Sequence, residues 1–189
     1  EKAVIAPTMM GFFDWSALHC SNAGTFGEAY RKLEPAAIWD MDKRTSWNTH
    51  YKAIYLTNFL HENQFRFKNI SQERIDFWLA QADFVKALMY FRLAQDWGEA
   101  VVAPSTEDAS QQAKSPINTI LTEAIQAAEA ALILPTFDKL TNAQGNNINS
   151  RQYASLGTVH TLLANIYAWM GGLYDKEEYR KKAEASASL

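Results

Sequence analysis

Almost all of the chain after residue 35 places its apolar residues three and four positions apart, the spacing that puts them on one side of an α-helix. No stretch longer than a few residues alternates strictly between apolar and polar side chains, as a half-buried strand would. The sequence therefore predicts an all-α fold. The pattern is clearest after Pro116, where it runs through Ile117, Ile120, Leu121, Ala124, Ile125, Ala128 and Leu132.

Capping and breaking residues divide this region into five predicted helices. The second follows Ser71 as N-cap and ends at Gly98, which predicts a left-handed C-cap. The segment after it, EAVVAP, is apolar and ends at Pro104. The first helix carries Trp47, Tyr51, Ile54, Tyr55, Asn58 and Phe59 on one side. The third starts with Ser115 as N-cap and Pro116 at the first helical position. The fourth follows Asn149-Ser150 and stops at Gly171-Gly172, and the fifth opens with an Asp175/Glu178 capping box.

Small residues on the second helix indicate how the helices pack. Ala80, Ala87 and Ala94 recur every seven residues, so a neighbouring helix can approach closely along that side. Helices of this length in antiparallel pairs, with alanine opposite aromatic residues, are typical of tetratricopeptide-like hairpins. A plain helical bundle is the alternative, because no 34-residue repeat is visible.

Composition excludes several classes of function. The net charge is -3 and no basic stripe occurs, which argues against a nucleic-acid partner. Cys20 is the single cysteine, and neither zinc spacing, a phosphate loop nor a nucleophile elbow is present. No EF-hand spacing supports a calcium ion at the Asn-rich loop 141–150. We therefore expect no cofactor, no metal site and no enzymatic activity.

Both ends of the sequence indicate that it is a piece of a longer protein. Glu1 has no methionine before it, and the helical pattern runs on to Leu189. No apolar run reaches the roughly 20 residues that cross a bilayer. Any export signal is expected to lie outside this sequence.

The first 35 residues lack settled periodicity, and two tryptophans in the irregular part of the chain stand beside carboxylates, as Asp14-Trp15 and Trp39-Asp40. An indole face can pack against the C–H face of a pyranose while the carboxylate bonds its hydroxyls. Both pairs are therefore candidate sugar platforms. The alternative is that the two tryptophans cover helix ends.

Four blocks, in order, resemble the SusD/RagB-like proteins, the surface glycan-binding lipoproteins of Bacteroidetes. They are WNTHYKAIYLTNFLHEN (47–63), QADFVKALMYFRLAQDWGEAVVAP (81–104), SPINTILTEAIQAAEAALILP (115–135) and SRQYASLGTVHTLLANIYAWMGG (150–172). The resemblance covers about residues 36–189 and implies tetratricopeptide-like antiparallel helix hairpins, with residues 1–35 as an irregular segment packing on them. It also implies that Trp97 is a core residue and that the apolar segment crosses the helical layer.

The resemblance further implies a function. The protein would bind an oligosaccharide without catalysis and deliver it to a TonB-dependent, SusC-like transporter. It would be a surface-exposed outer-membrane lipoprotein, held only by an N-terminal lipid anchor outside this chain. Family members are two to three times longer, so this chain would be a fragment. Within it we expect ligand contacts at Trp39, Asp40 and Arg44, then at Asp14 and Trp15.

Two alternatives come from other classes. An intracellular tetratricopeptide adaptor would bind peptides through a row of polar residues such as Lys52, Asn58, Lys86 and Asn165. A fragment of an all-α glycoside hydrolase would need two carboxylates flanking a sugar, and removal of one of Asp14, Asp40 or Asp42 would abolish its hydrolysis.

Overall fold

The computed structural model describes residues 47–108, 110–142, 145–147 and 152–188. Contacts divide the chain into two units, Glu1–Ala53 and Ile54–Leu189. The described part of the first unit is the start of one helix, where the rings of Trp47 and Tyr51 meet edge to face with centroids 5.5 Å apart. The predicted boundary between residues 35 and 36 lies outside the described residues and stays a prediction.

Five α-helices account for most of the described residues, and the prediction of an all-α fold is confirmed. Within these ranges the extended pairings are two isolated antiparallel bridges, Ala100 with Ser115 and Thr141 with Asn147. The helices are α1 (Asn48–Asn63), α2 (Gln72–Trp97), α3 (Ile117–Ala130), α4 (Leu156–Leu173) and α5 (Glu177–Ala187), with 3₁₀ turns at Gln64–Arg66, Ala131–Ile133 and Phe137–Lys139.

Helices α2, α3 and α4 alternate in direction. The bridge from Ala100 to Ser115 joins the end of α2 to the start of α3. The amide of Leu156 donates to the carbonyl of Pro135 at 2.9 Å, so the end of α3 lies beside the start of α4. The ring centroids of Phe91 on α2 and Trp169 on α4 lie 6.4 Å apart. Trp169 is 38 % exposed.

Helices α4 and α5 form an antiparallel hairpin across residues 174–176. Arg180 on α5 donates to the carbonyl of Gly171 at 3.2 Å. Further along α5, the ammonium of Lys182 lies 5.4 Å from the ring centroid of Tyr167, which precedes Gly171. Later residues of α5 thus meet earlier residues of α4, and the prediction of tetratricopeptide-like hairpins is confirmed.

The alanines on α2 are buried as their spacing predicts. Ala80, Ala87 and Ala94 are 1 %, 0 % and 2 % exposed, and α2 packs along α3. On α3, Ile120 and Leu121 are fully buried, and burial of each contributes roughly 2 kcal/mol. Small side chains let a neighbouring helix approach closely, as the spacing of the alanines predicts.

The predicted helix starts differ from the structure at three places. Ser71 caps α2 as predicted, accepting from the amide of Arg74. Pro116 rather than Ser115 is the N-cap of α3, because Ser115 pairs with Ala100. Helix α4 begins at Leu156, with a capping box formed by Ser155 and Thr158, not directly after Ser150. The predicted capping box of α5 is wrong: Lys176 is its N-cap, and Asp175 accepts from Arg180 instead.

Gly98 ends α2 with a positive φ of 72°, as predicted, but its ψ of -75° is not that of a left-handed helical residue. Its amide still donates to the carbonyl of Ala94, and the amide of Glu99 donates to the carbonyl of Trp97 at 2.9 Å. This bond spans three residues and makes a γ-turn. The turn redirects the chain so that Ala100, two residues on, can pair with Ser115.

Candidate functional site

The apolar segment after Gly98 is held by polar side chains of α1 and α2. The amide of Asn58 donates to the carbonyl of Ala103 at 2.7 Å, and the amide of Ala103 donates to the hydroxyl of Tyr90 at 3.0 Å. Both backbone groups of Ala103 therefore have partners, and both of these partners are side chains. Since an unpaired buried backbone group costs about as much as a lost hydrogen bond, these contacts allow the segment to cross the helices.

The same segment is fixed further along by Glu62 of α1. Its Oε1 accepts from the hydroxyl of Ser105 at 2.8 Å and from the amide of Thr106 at 2.9 Å. The hydroxyl of Thr106 donates to Oε2. Bonds from the side chain and backbone of Thr106, followed by the Ser105 hydroxyl, lower the pKa of Glu62 from its ordinary value of 4.5, because they favour the carboxylate.

This lowered pKa makes stability depend on pH. A depressed carboxyl pKa contributes stability that is fully present above 4.5 and is lost as the pH falls through the lower folded value. We expect Glu62→Gln to lower Tm at neutral pH and to flatten the fall of Tm between about pH 5 and pH 3. Thermal unfolding followed by circular dichroism measures both. Glu178→Gln, at an exposed residue of α5, is the control. If Tm fell equally steeply with acid in the natural protein and in both variants, the prediction would be contradicted.

A cleft of about 180 Å³ opens beside these contacts, lined by Asn58, His61, Glu62, Asp83, Lys86 and Pro104. His61 Nε2 lies 2.7 Å from Asp83 Oδ1, and the ammonium of Lys86 donates to Asn58 Oδ1 at 2.8 Å. In the described residues no group of three or more His, Cys, Asp or Glu could hold a metal ion. Most polar groups of the cleft are engaged in these contacts, so its first role is to fix α1, α2 and the crossing segment.

A second polar cluster lies on another side of α2 and holds the connection between α3 and α4. Arg74 donates to the carbonyl of Thr141 at 3.2 Å and to that of Asn142, and its guanidinium lies 5.2 Å from the ring centroid of Phe77. Gln81 donates to the carbonyl of Ala154 at 2.7 Å and accepts from its amide at 2.9 Å. Arg74, Phe77 and Gln81 lie on one face because they are spaced i, i+3 and i+7.

The five site residues predicted from sequence, Asp14, Trp15, Trp39, Asp40 and Arg44, all lie outside the described residues. They remain predictions, as does the catalytic alternative that used Asp14, Asp40 and Asp42.

The sequence predictions did not include the cluster that Arg74 and Gln81 build on α2. The unusually long Asn-rich loop 141–150 was its one visible signal. The partners of Arg74 and Gln81 lie 67 to 73 residues further along the chain, and no periodicity reports such contacts.

Taken together, the fold defines a protein built on helical hairpins of the tetratricopeptide type. The chain belongs to the SusD-like family, whose sequence profile, described as starch-binding and associating with the outer membrane, matches residues 19–171. This confirms the resemblance that the four sequence blocks carry. No curated protein matches the chain. Among the described helices, none has the length and apolar content that a membrane span requires.

Solved structures share this fold. A SusD superfamily protein from Bacteroides thetaiotaomicron gives a TM-score of 0.72 at 18 % identity, over 94 % of this chain and 42 % of that chain. One from Parabacteroides distasonis gives 0.69 at 20 % identity, over 88 % and 34 %. A laminarin-binding SusD-like protein gives 0.60 at 19 %, over 74 % and 28 %. The chain therefore spans less than half of each of these structures.

Proposed function

We propose that this protein is a non-catalytic glycan-binding protein of the outer membrane that delivers oligosaccharide to a TonB-dependent, SusC-like transporter. The observation that carries the proposal is the family match over residues 19–171, to a family described as starch-binding and associating with the outer membrane. A related fold that binds laminarin supports a glucan or similar neutral polysaccharide as ligand. A surface-exposed location with an N-terminal lipid anchor is part of the same proposal.

Affinity in such a protein would come from aromatic faces and hydrogen bonds. Each sugar ring that stacks on an aromatic side chain loses apolar surface to water, and nearby amides or carboxylates bond its hydroxyls. Contacts repeated along one oligosaccharide multiply, because the later ones form within a complex that already exists. Within residues 1–46 we assign such contacts to Trp39, Asp40 and Arg44, and to Asp14 and Trp15.

The second candidate, a peptide-binding adaptor, is less well supported. It needs a row of polar side chains available to a peptide. Asn58 and Lys86 bond each other, and Asn58 also holds Ala103. Asn165 donates to the carbonyl of Thr161 within its own helix. Of the four residues suggested for such a row, three are thus engaged within the protein, which favours the glycan-binding proposal.

The proposal is tested with the protein at its full natural length. We expect it to bind a polysaccharide on an array that includes starch and laminarin, without releasing reducing ends. Trp15→Ala combined with Trp39→Ala is expected to weaken binding by about tenfold or more, the equivalent of roughly 1.4 kcal/mol. The exposed Phe65, 71 % accessible on the turn after α1, gives the control Phe65→Ala.

Three outcomes decide between parts of the proposal. Absence of binding to every glycan, combined with capture of peptides, would overturn it in favour of the adaptor. Hydrolysis of a bound glycan would overturn the non-catalytic part. Unchanged affinity in the double tryptophan variant would remove those two residues from the site. Delivery is tested separately, by co-purification of a β-barrel transporter from detergent-solubilised outer membranes.

A further inference from the structure

The connection between α3 and α4 carries exposed groups that suit a sugar. We propose that Asn146, Asn147 and Tyr153, together called the amide–tyrosine patch, form a subsite for a neutral oligosaccharide. This inference rests on the glycan-binding function proposed above and adds three residues to the five predicted from the sequence.

Tyr153 is an exposed aromatic side chain in a fixed position. It is 45 % exposed, and its ring lies 6.3 Å from that of Phe77 at an angle of 39°. The residue after it, Ala154, has both backbone groups bonded to the side chain of Gln81. Ser155 then caps α4 with Thr158. Because the two residues that follow it are fixed, the ring can stack on a ligand with little loss of conformational entropy.

The two asparagines stand on an ordered turn. The amide of Asn142 donates to the carbonyl of Asn146 at 2.9 Å, and the amide of Asn146 donates to Asn142 Oδ1 at 3.0 Å. Asn147 pairs with Thr141, which Arg74 holds. Both Asn146 and Asn147 are exposed, and among the described residues their side-chain amides have no hydrogen-bond partner. These amides therefore remain available to a ligand.

The turn and the tyrosine are attached to the same face of helix α2. Arg74 holds the base of the turn and Gln81 holds the residue next to Tyr153, with Phe77 between them. At 1.5 Å per residue, Arg74 and Gln81 lie about 10 Å apart along the helix axis. From this spacing of the two anchors we infer that a short oligosaccharide places one ring on Tyr153 and hydroxyls of a neighbouring ring against the amides.

The chemistry of the patch selects the class of ligand. An asparagine amide offers two donors and an acceptor, and a sugar hydroxyl both donates and accepts, so the two are complementary. The patch contains two amides and a phenol and no Lys, Arg, Asp or Glu, which favours a neutral sugar over an acidic one. The cleft beside α1 is a weaker candidate, because its polar groups hold the segment after Gly98 and its described lining contains no Phe, Tyr or Trp.

The test measures the affinity of the full-length protein for starch, laminarin and any other polysaccharide that the array identifies. Tyr153→Ala is expected to weaken binding by about tenfold, while Tyr153→Phe, which keeps the ring, stays within about twofold of the natural protein. Asn146→Ala combined with Asn147→Ala is expected to weaken it by roughly threefold to tenfold. Tyr55→Ala, at a tyrosine that is 50 % exposed on α1, is the matched control and should leave affinity unchanged.

Thermal unfolding of each variant separates binding from folding. The subsite requires the affinity of Tyr153→Ala to fall while its Tm stays close to that of Tyr153→Phe. If the natural protein binds glycan and Tyr153→Ala binds it equally well, the subsite is overturned and the proposed function stands. If Tyr55→Ala weakens binding as much as Tyr153→Ala, the subsite is likewise overturned. If the natural protein binds no glycan, both proposals fail.

Discussion

Replacing Tyr90 with alanine is expected to lower the free energy of unfolding by about 4 kcal/mol, in the range measured for large aromatic residues in cores. Tyr90 is fully buried on α2, so the substitution leaves a cavity where the ring was. It also removes the hydroxyl that accepts from the amide of Ala103. Chemical denaturation followed by circular dichroism measures the loss, and a domain of marginal stability would lose a large part of its total.

Tyr90→Phe separates the two contributions. It keeps the ring and removes the hydroxyl, so we expect a loss of only about 1 kcal/mol. The amide of Ala103 should then exchange its hydrogen faster, while the amide of Ala100, which pairs with Ser115, changes less. If Tyr90→Phe were as unstable as Tyr90→Ala, the cavity argument would be wrong. If it were as stable as the natural protein and Ala103 stayed protected, the anchoring role of the hydroxyl would be wrong.

Gly98→Ala is the second substitution with a large expected effect, a destabilisation of about 2 kcal/mol. A Cβ at Gly98 would meet no atom within 4 Å, so the cost comes from the backbone alone. With φ at 72° and ψ at -75°, the residue occupies a region that L-amino acids avoid. The change is measured as a shift in the denaturant midpoint.

Gly172→Ala is the matched control for Gly98. A Cβ at Gly172 would also meet no atom within 4 Å, but this residue lies inside helix α4. There alanine is favoured over glycine by about 0.5–1 kcal/mol, so this variant should gain stability. The opposite signs of the two substitutions test the γ-turn directly. Equal effects would show that the conformation of Gly98 does not matter.

The first helix shows where reasoning from periodicity is sufficient and where it is not. Spacing predicted that Ile54, Tyr55, Asn58 and Phe59 share one side of α1. Ile54 and Asn58 are buried, whereas Tyr55 and Phe59 are 50 % and 47 % exposed, with their rings stacked 6.2 Å apart. Successive residues differ by about 100° around a helix, so the pattern covered two adjacent sides. The side that is buried carries Ile54 and Asn58, and on it the Asn58 amide donates to the carbonyl of Ala103.

For the candidate site, too, the sequence predicted some features and not others. The residues predicted near a ligand lie outside the described part of the chain, so they stay predictions. The long Asn-rich loop was visible in the sequence as an unusual feature of a helical protein. The sequence did not show that Arg74 attaches this loop to α2, or that Tyr153 is exposed beside Phe77. Both features depend on contacts between residues far apart in the chain.

By itself, the sequence determined the all-α class, the five helices, the buried alanines of α2 and the family, because each depends on spacing or on short blocks of residues. The tertiary structure alone decided how the segment after Gly98 is accommodated. Its backbone polar groups needed partners, and they found them in Asn58, Tyr90 and Ser115 on three other parts of the chain. Hydrogen bonds of that kind depend on the position of atoms in space, and local sequence patterns do not encode it.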